Sequence, residues 1–104
     1  MIIQFNTDKN ISGSEKNAAY FSETISEQLT RFDEQITRVE VHLSDENGDK
    51  GGLKDKRCML EARIKNMSPI AVTCDGDTIE EVVSGAIDKL IKSLDSKLGR
   101  LSNH

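Results

Sequence analysis

The stretch Arg38-Val39-Glu40-Val41-His42-Leu43 decides the fold. Apolar and polar side chains alternate along it with the period of two that sends successive residues to opposite faces of a β-strand. Toward the C-terminus the pattern returns: Cys58, Leu60, Ala62 and Ile64 alternate with Arg57, Met59, Glu61 and Arg63. Ile70, Val72 and Cys74 form a third alternating set, which Asp75-Gly76-Asp77 ends. The polar, glycine-bearing run Ser44–Gly52 and the turn Asn66-Met67-Ser68-Pro69 connect the three. Three consecutive strands so joined predict an antiparallel meander with one apolar face and one wet face.

Either side of this meander the apolar spacing changes to three and four residues. Upstream, Ala18, Phe21, Ile25, Leu29 and Phe32 align on one side of a helix that opens at Ser14, a favourable N-cap, with Glu15 near the positive end of the helix dipole. Before that helix, Ile2-Ile3-Gln4-Phe5-Asn6 is short and β-branched, as suits a strand. Downstream, Asp77 or Thr78 caps a helix with Glu80 and Glu81 in its first turn, and Ile79, Val83, Ala86, Leu90, Leu94, Leu98 and Leu101 form its buried stripe. The expected architecture is α+β in the order βαβββα, a four-stranded sheet with two helices packed on one face, burying Phe5, Phe21, Val41, Leu60, Val72, Leu90 and Leu94 together. A chain of 104 residues supports one such core, so residues 1–104 are read as a single domain.

Composition narrows the function. With 36% hydrophobic and 31% charged residues the chain is in the globular range, and a formal charge of −4 excludes coating nucleic acid by bulk attraction. Met-Ile-Ile-Gln-Phe lacks the basic region and long apolar run of a signal peptide, so a cytoplasmic protein with no membrane association is expected. The two cysteines, Cys58 and Cys74, sit in strand-like segments rather than in a Cys-x-x-Cys pair, and are read as free thiols in the core. Asp45-Glu46-Asn47-Gly48-Asp49 resembles a calcium loop, but its spacing puts Lys50 where the glycine is needed and Lys56 where the bidentate glutamate is needed. His42 and His104 have no ligand partner at zinc spacing, and no nucleophile motif surrounds either cysteine. No metal, cofactor or small-molecule substrate is expected, and no enzymatic activity.

The strongest local pattern lies on the last helix. At about 100° per residue, Lys89, Lys92, Lys97 and Arg100 share a sector beside the apolar stripe, while Asp88 and Asp95 fall on its other flank. A basic edge of this kind is either a solvated face whose long stems pack on the core or an anion-binding surface. The first helix is mostly acidic, with Glu15, Glu23, Glu27, Asp33 and Glu34 outnumbering Lys16 and Arg31. Arg38, Arg57 and Arg63 point from the wet sheet face with Glu40 and Glu61 among them, which predicts cross-strand ion pairs.

Over nearly its whole length the chain resembles the short form of the ribosome hibernation-promoting factor and ribosome-associated inhibitor family, also called the sigma-54 modulation protein family. The resemblance rests on the βαβββα order, on Gly85-Ala86-Ile87-Asp88-Lys89-Leu90-Ile91-Lys92-Ser93-Leu94 after an acidic turn, and on Leu29-Thr30-Arg31-Phe32 before Ile36-Thr37-Arg38-Val39-Glu40-Val41. It implies binding in the messenger and transfer RNA channel of the small ribosomal subunit, silencing translation in stress or stationary phase. It also implies rRNA contacts from basic side chains of the two helices: Lys89 and Lys92 first, then Lys97 and Arg100, with Lys16 and Arg31 in the first helix. Because the sequence ends soon after Leu101, a monomer without a C-terminal dimerisation domain is expected. A double-stranded RNA-binding domain shares the helix–three strands–helix order, but needs a basic start to its last helix, where this chain has Asp77-Thr78-Ile79-Glu80-Glu81. From a different class, the acidic balance favours a protein-interaction module that kept the fold and lost RNA binding.

Overall fold

The three alternating segments pair as strands. β2 (Ile36–Asp45) and β3 (Lys56–Ile64) run antiparallel with Val41 opposite Leu60, and β3 pairs in the same sense with β4 (Ile70–Gly76), Leu60 opposite Val72. β1 (Ile2–Thr7) joins the free side of β2 in parallel, Phe5 opposite Val41, and completes a mixed sheet of order β1-β2-β3-β4. Parallel neighbours need a crossover, and α1 (Ser14–Gln28) is part of it. The computed structural model describes residues 1–7, 14–45 and 56–102, with the side chains of 14–17 and 100–102 excepted. Most of the expected Ser44–Gly52 connection, and the Ser14 cap, lie outside that description.

This register places the apolar member of each alternation on one face. Val39, Val41, Leu43, Cys58, Leu60, Ala62 and Ile64 are all buried there beneath α1 and α2 (Ile79–Ser102). From α1 come Phe21 and Ile25, Leu29 follows just after its end, and from α2 come Val83, Ala86, Leu90 and Leu94. Phe5 and Val72, expected in the core, are only half-buried. They occupy β1 and β4, the outer strands of the sheet, where neighbours stand on one side only. α2 also buries Val82 and Ile87, which flank the expected stripe.

Local chemistry sets the element ends. The Phe21-to-Phe32 stripe predicts one continuous helix, but α1 stops at Gln28 and a 3-10 turn over Thr30–Phe32 carries Phe32 into the core. Thr30 contributes to this break, because its hydroxyl donates to the Ser26 and Glu27 carbonyls at 3.0 and 2.9 Å. β3 ends where Asn66 adopts φ 60°, a left-handed conformation that asparagine tolerates better than most residues. At the start of α2, the Thr78 hydroxyl accepts from the Glu81 N–H at 3.1 Å while the Glu81 carboxylate accepts from the Asp77 N–H at 3.3 Å. This capping box satisfies donors that the first turn leaves open. One glycine is needed for packing: a Cβ on Gly85 would collide with the Cys74 sulfur, so α2 rests close upon β4.

Both cysteines are free, as expected, and they stand directly opposite each other on β3 and β4, but only Cys58 is fully in the core; Cys74, on the outer strand β4, is half-buried. Burial, with the neighbouring Cys74 as the lesser cause, pushes the Cys58 thiol up to about 12. It is a core residue rather than a nucleophile.

Candidate nucleic-acid interface

The charged flanks of α2 face different neighbours. Lys89 Nζ donates to the Thr73 carbonyl at 2.7 Å, which fixes the basic flank along the β4 edge of the sheet. On the opposite flank, Asp95 accepts both terminal nitrogens of Arg31, Nη1 at 2.6 Å and Nη2 at 2.8 Å, which ties it to the turn after α1. The Arg31 guanidinium also lies 4.3 Å over the Phe32 ring. Each partner shifts the other, chiefly through their hydrogen bonds: the Asp95 carboxyl is held below its usual range and Arg31 is held further into its charged state.

The residues expected to contact rRNA therefore separate into three groups. Arg31 spends its fork on Asp95, so it is a clamp between the α1 end and α2. Lys89 is exposed and gives one of its three donors to Thr73. Lys92 and Lys97 are exposed with no ion-pair partner among the described residues. Lys97 follows Leu90 by seven residues and shares its side of the helix, yet it reaches solvent because the fully buried part of α2 ends at Leu94. The backbones of Lys16 and Arg100 lie in α1 and α2, but their side chains are outside the described set. Lys89 to Lys97 spans about 12 Å along the helix axis.

Elsewhere the arginines are neutralised. Arg38 faces Arg63 and Glu40 faces Glu61 in the β2–β3 register, so opposite charges must meet off the direct rungs. Glu40, at 17% exposure, accepts from Arg38 at 3.1 Å and Arg63 at 3.2 Å, with His42 at 3.8 Å. Arg63 also reaches Glu61 at 3.3 Å, and Arg57 pairs with Asp75 at 2.8 Å. The predicted cross-strand network is present. On α1 the exposed charges Glu23 and Glu27 are acidic. Among the described residues there is no cluster of His, Cys, Asp or Glu that could hold a metal ion, and no helix is long and apolar enough to cross a membrane.

The family model described as sigma 54 modulation protein / S30EA ribosomal protein matches residues 5–102. The chain belongs to this family. Two solved structures share the fold. The N-terminal domain of Thermus thermophilus Protein Y superposes with a TM-score of 0.72 at 14% identity, covering 92% of this chain and 98% of that one. A ribosomal subunit interface protein from Coxiella burnetii gives 0.70 at 18% identity, covering 95% and 99%. A comparison with curated proteins finds no match. The Arg31–Asp95 clamp and the Lys89–Thr73 contact had no signal in the sequence, because each joins residues far apart in the chain.

Proposed function

We propose that this protein is a non-catalytic, ribosome-associated inhibitor of translation that binds the rRNA of the small subunit through the β4-side flank of α2. The observation that supports this is the row of exposed ammonium groups at Lys89, Lys92 and Lys97, two of them with no ion-pair partner among the described residues, on a chain of the S30EA family. Arg100, whose backbone lies about three turns beyond Lys89 on the same helical row, extends the row. Lys16 belongs to the proposal through the family resemblance, whereas Arg31 serves it indirectly by holding α1 and α2 together.

Phosphate contacts release counterions, so such binding weakens steeply as salt rises. On this reading the protein acts in the cytoplasm during stress or stationary phase. A sucrose gradient of stationary-phase lysate, probed for this protein, tests the proposal: the protein is expected with the small subunit at low salt and at the top of the gradient at high salt. Its absence from ribosomal fractions at every salt concentration would favour the protein-interaction module instead.

A further inference from the structure

The two helices diverge enough over the sheet to leave a cleft of about 320 Å³ between them. Its floor is apolar, formed by the outer edges of Phe21, Val83 and Ile87, which are otherwise buried. Its rim is acidic. Glu80 and Asp88 stand on the α2 side, exposed, eight residues apart and without an ion-pair partner among the described residues. That separation is about 12 Å along the helix. Glu23 and Glu27 are exposed on the neighbouring row of α1, and among the described residues no lysine or arginine lines the cleft. At the α1 wall Tyr20 is 63% exposed, its ring 5.1 Å from that of Phe21 at an interplanar angle of 70°. An exposed aromatic ring beside carboxylates favours a cation through its π face as well as through charge.

We propose that this cleft docks a basic, amphipathic peptide segment of a partner protein, with lysine or arginine side chains against Glu80, Asp88 and the Tyr20 ring and an aliphatic side chain on the Phe21–Val83–Ile87 floor. Charge complementarity selects this occupant. The charged side chains lining it among the described residues, Glu80 and Asp88, repel the phosphates of a nucleic acid, and a purely apolar segment leaves these carboxylates facing hydrocarbon. The cleft opens on the α1 side of α2 and the lysine row on the β4 side, so one helix presents two surfaces of opposite sign that can be occupied together.

Tyr20 is the only tyrosine and the chain has no tryptophan, so its intrinsic emission reports on the cleft wall without labelling. The probe is a short synthetic peptide of lysine and leucine in a two-to-one ratio, free of aromatic residues. It should change Tyr20 emission saturably and shift the backbone amide resonances of Thr24 and Ser84. Glu80→Gln with Asp88→Gln should weaken that binding about tenfold with an unchanged thermal midpoint, and so should replacing the leucines of the probe with serine, since rim charges and buried aliphatic groups each contribute at this scale. Three results would overturn the proposal: equal affinity for the double variant, equal affinity of the serine-containing probe, or a single-stranded RNA oligonucleotide that shifts the same amides at lower concentration than the peptide. The double variant changes only exposed side chains, and Glu81, which makes the capping contact, is untouched. A null result with a folded wild-type protein also counts against the proposal.

Discussion

The β4-side and α1-side flanks of α2 rest on the same buried stripe yet differ in what surrounds them. On the β4 side the lysines project past an edge strand, where, among the described residues, only the Thr73 carbonyl takes up part of one charge. On the α1 side the carboxylates meet a second helix whose exposed charges, among the described residues, are Glu23 and Glu27, and Arg31 answers Asp95. The comparison teaches that net charge is a poor guide to partners in a chain this size. A protein of charge −4 can present a positive edge if its negative charges are gathered elsewhere.

The most drastic way to break the distinction is to remove what both flanks stand on. Leu90 is fully buried beneath α2, and Leu90→Ala should cost roughly 2–5 kcal/mol by urea denaturation, loosening both flanks together. A loss below about half a kcal/mol would mean that α2 is not anchored there.

The flanks should also respond to opposite extremes of pH. Under the β4 side, the Cys58 thiol is raised to about 12, so the stability it contributes is fully present below the unfolded value of about 8.5 and is lost as pH rises through about 12. The slope should approach about 1.4 kcal/mol per pH unit above 8.5, and Cys58→Ala should flatten that part of the curve. A mutant whose alkaline limb matches wild type would contradict the burial argument.

Gly85→Ala attacks the β4 side alone. The added methyl collides with the Cys74 sulfur, and an overpacking cost of about 1–3 kcal/mol is expected. The Lys89–Thr73 contact should be disturbed while Arg31–Asp95 remains, which amide and side-chain resonances can distinguish. The smallest effect belongs to the other side. Arg31 and Asp95 are both well exposed, so Asp95→Asn should lower the thermal midpoint less than Gly85→Ala does, and salt should shrink the difference. Because the folded Asp95 carboxyl titrates below its unfolded value, the contribution is present above about pH 3.9 and disappears as pH falls through the folded value.

The fold was legible because period-two and near-3.6 segments alternate cleanly in the sequence, and on the central strands β2 and β3 the apolar member of each alternation is the buried one. Legibility failed where tertiary context decides. Phe5 and Val72 read as core residues because periodicity does not reveal which strands are outermost. Val82 and Ile87 were missed because a helix packed against both a sheet and another helix buries a wider face than a single stripe. The break after Gln28 depends on Thr30 bonding back to the helix, which apolar spacing does not record. On α2 the spacing of Lys89, Lys92 and Lys97 was legible and all three are exposed, but only the fold shows that Arg31 is engaged and that Lys92 and Lys97 have no such partner among the described residues.

Lys92 and Lys97 offer the most direct test, because neither makes a contact within the described residues whose loss would confuse the result. Purified protein carrying Lys92→Glu and Lys97→Glu should keep its thermal midpoint and lose most of its co-sedimentation with isolated small subunits at low salt. Arg57→Glu with Arg63→Glu, the same charge change on the outer sheet face, should lose much less. Undiminished co-sedimentation of the Lys92/Lys97 variant, or equal loss in both variants, would contradict the assignment of RNA binding to the β4-side flank of α2.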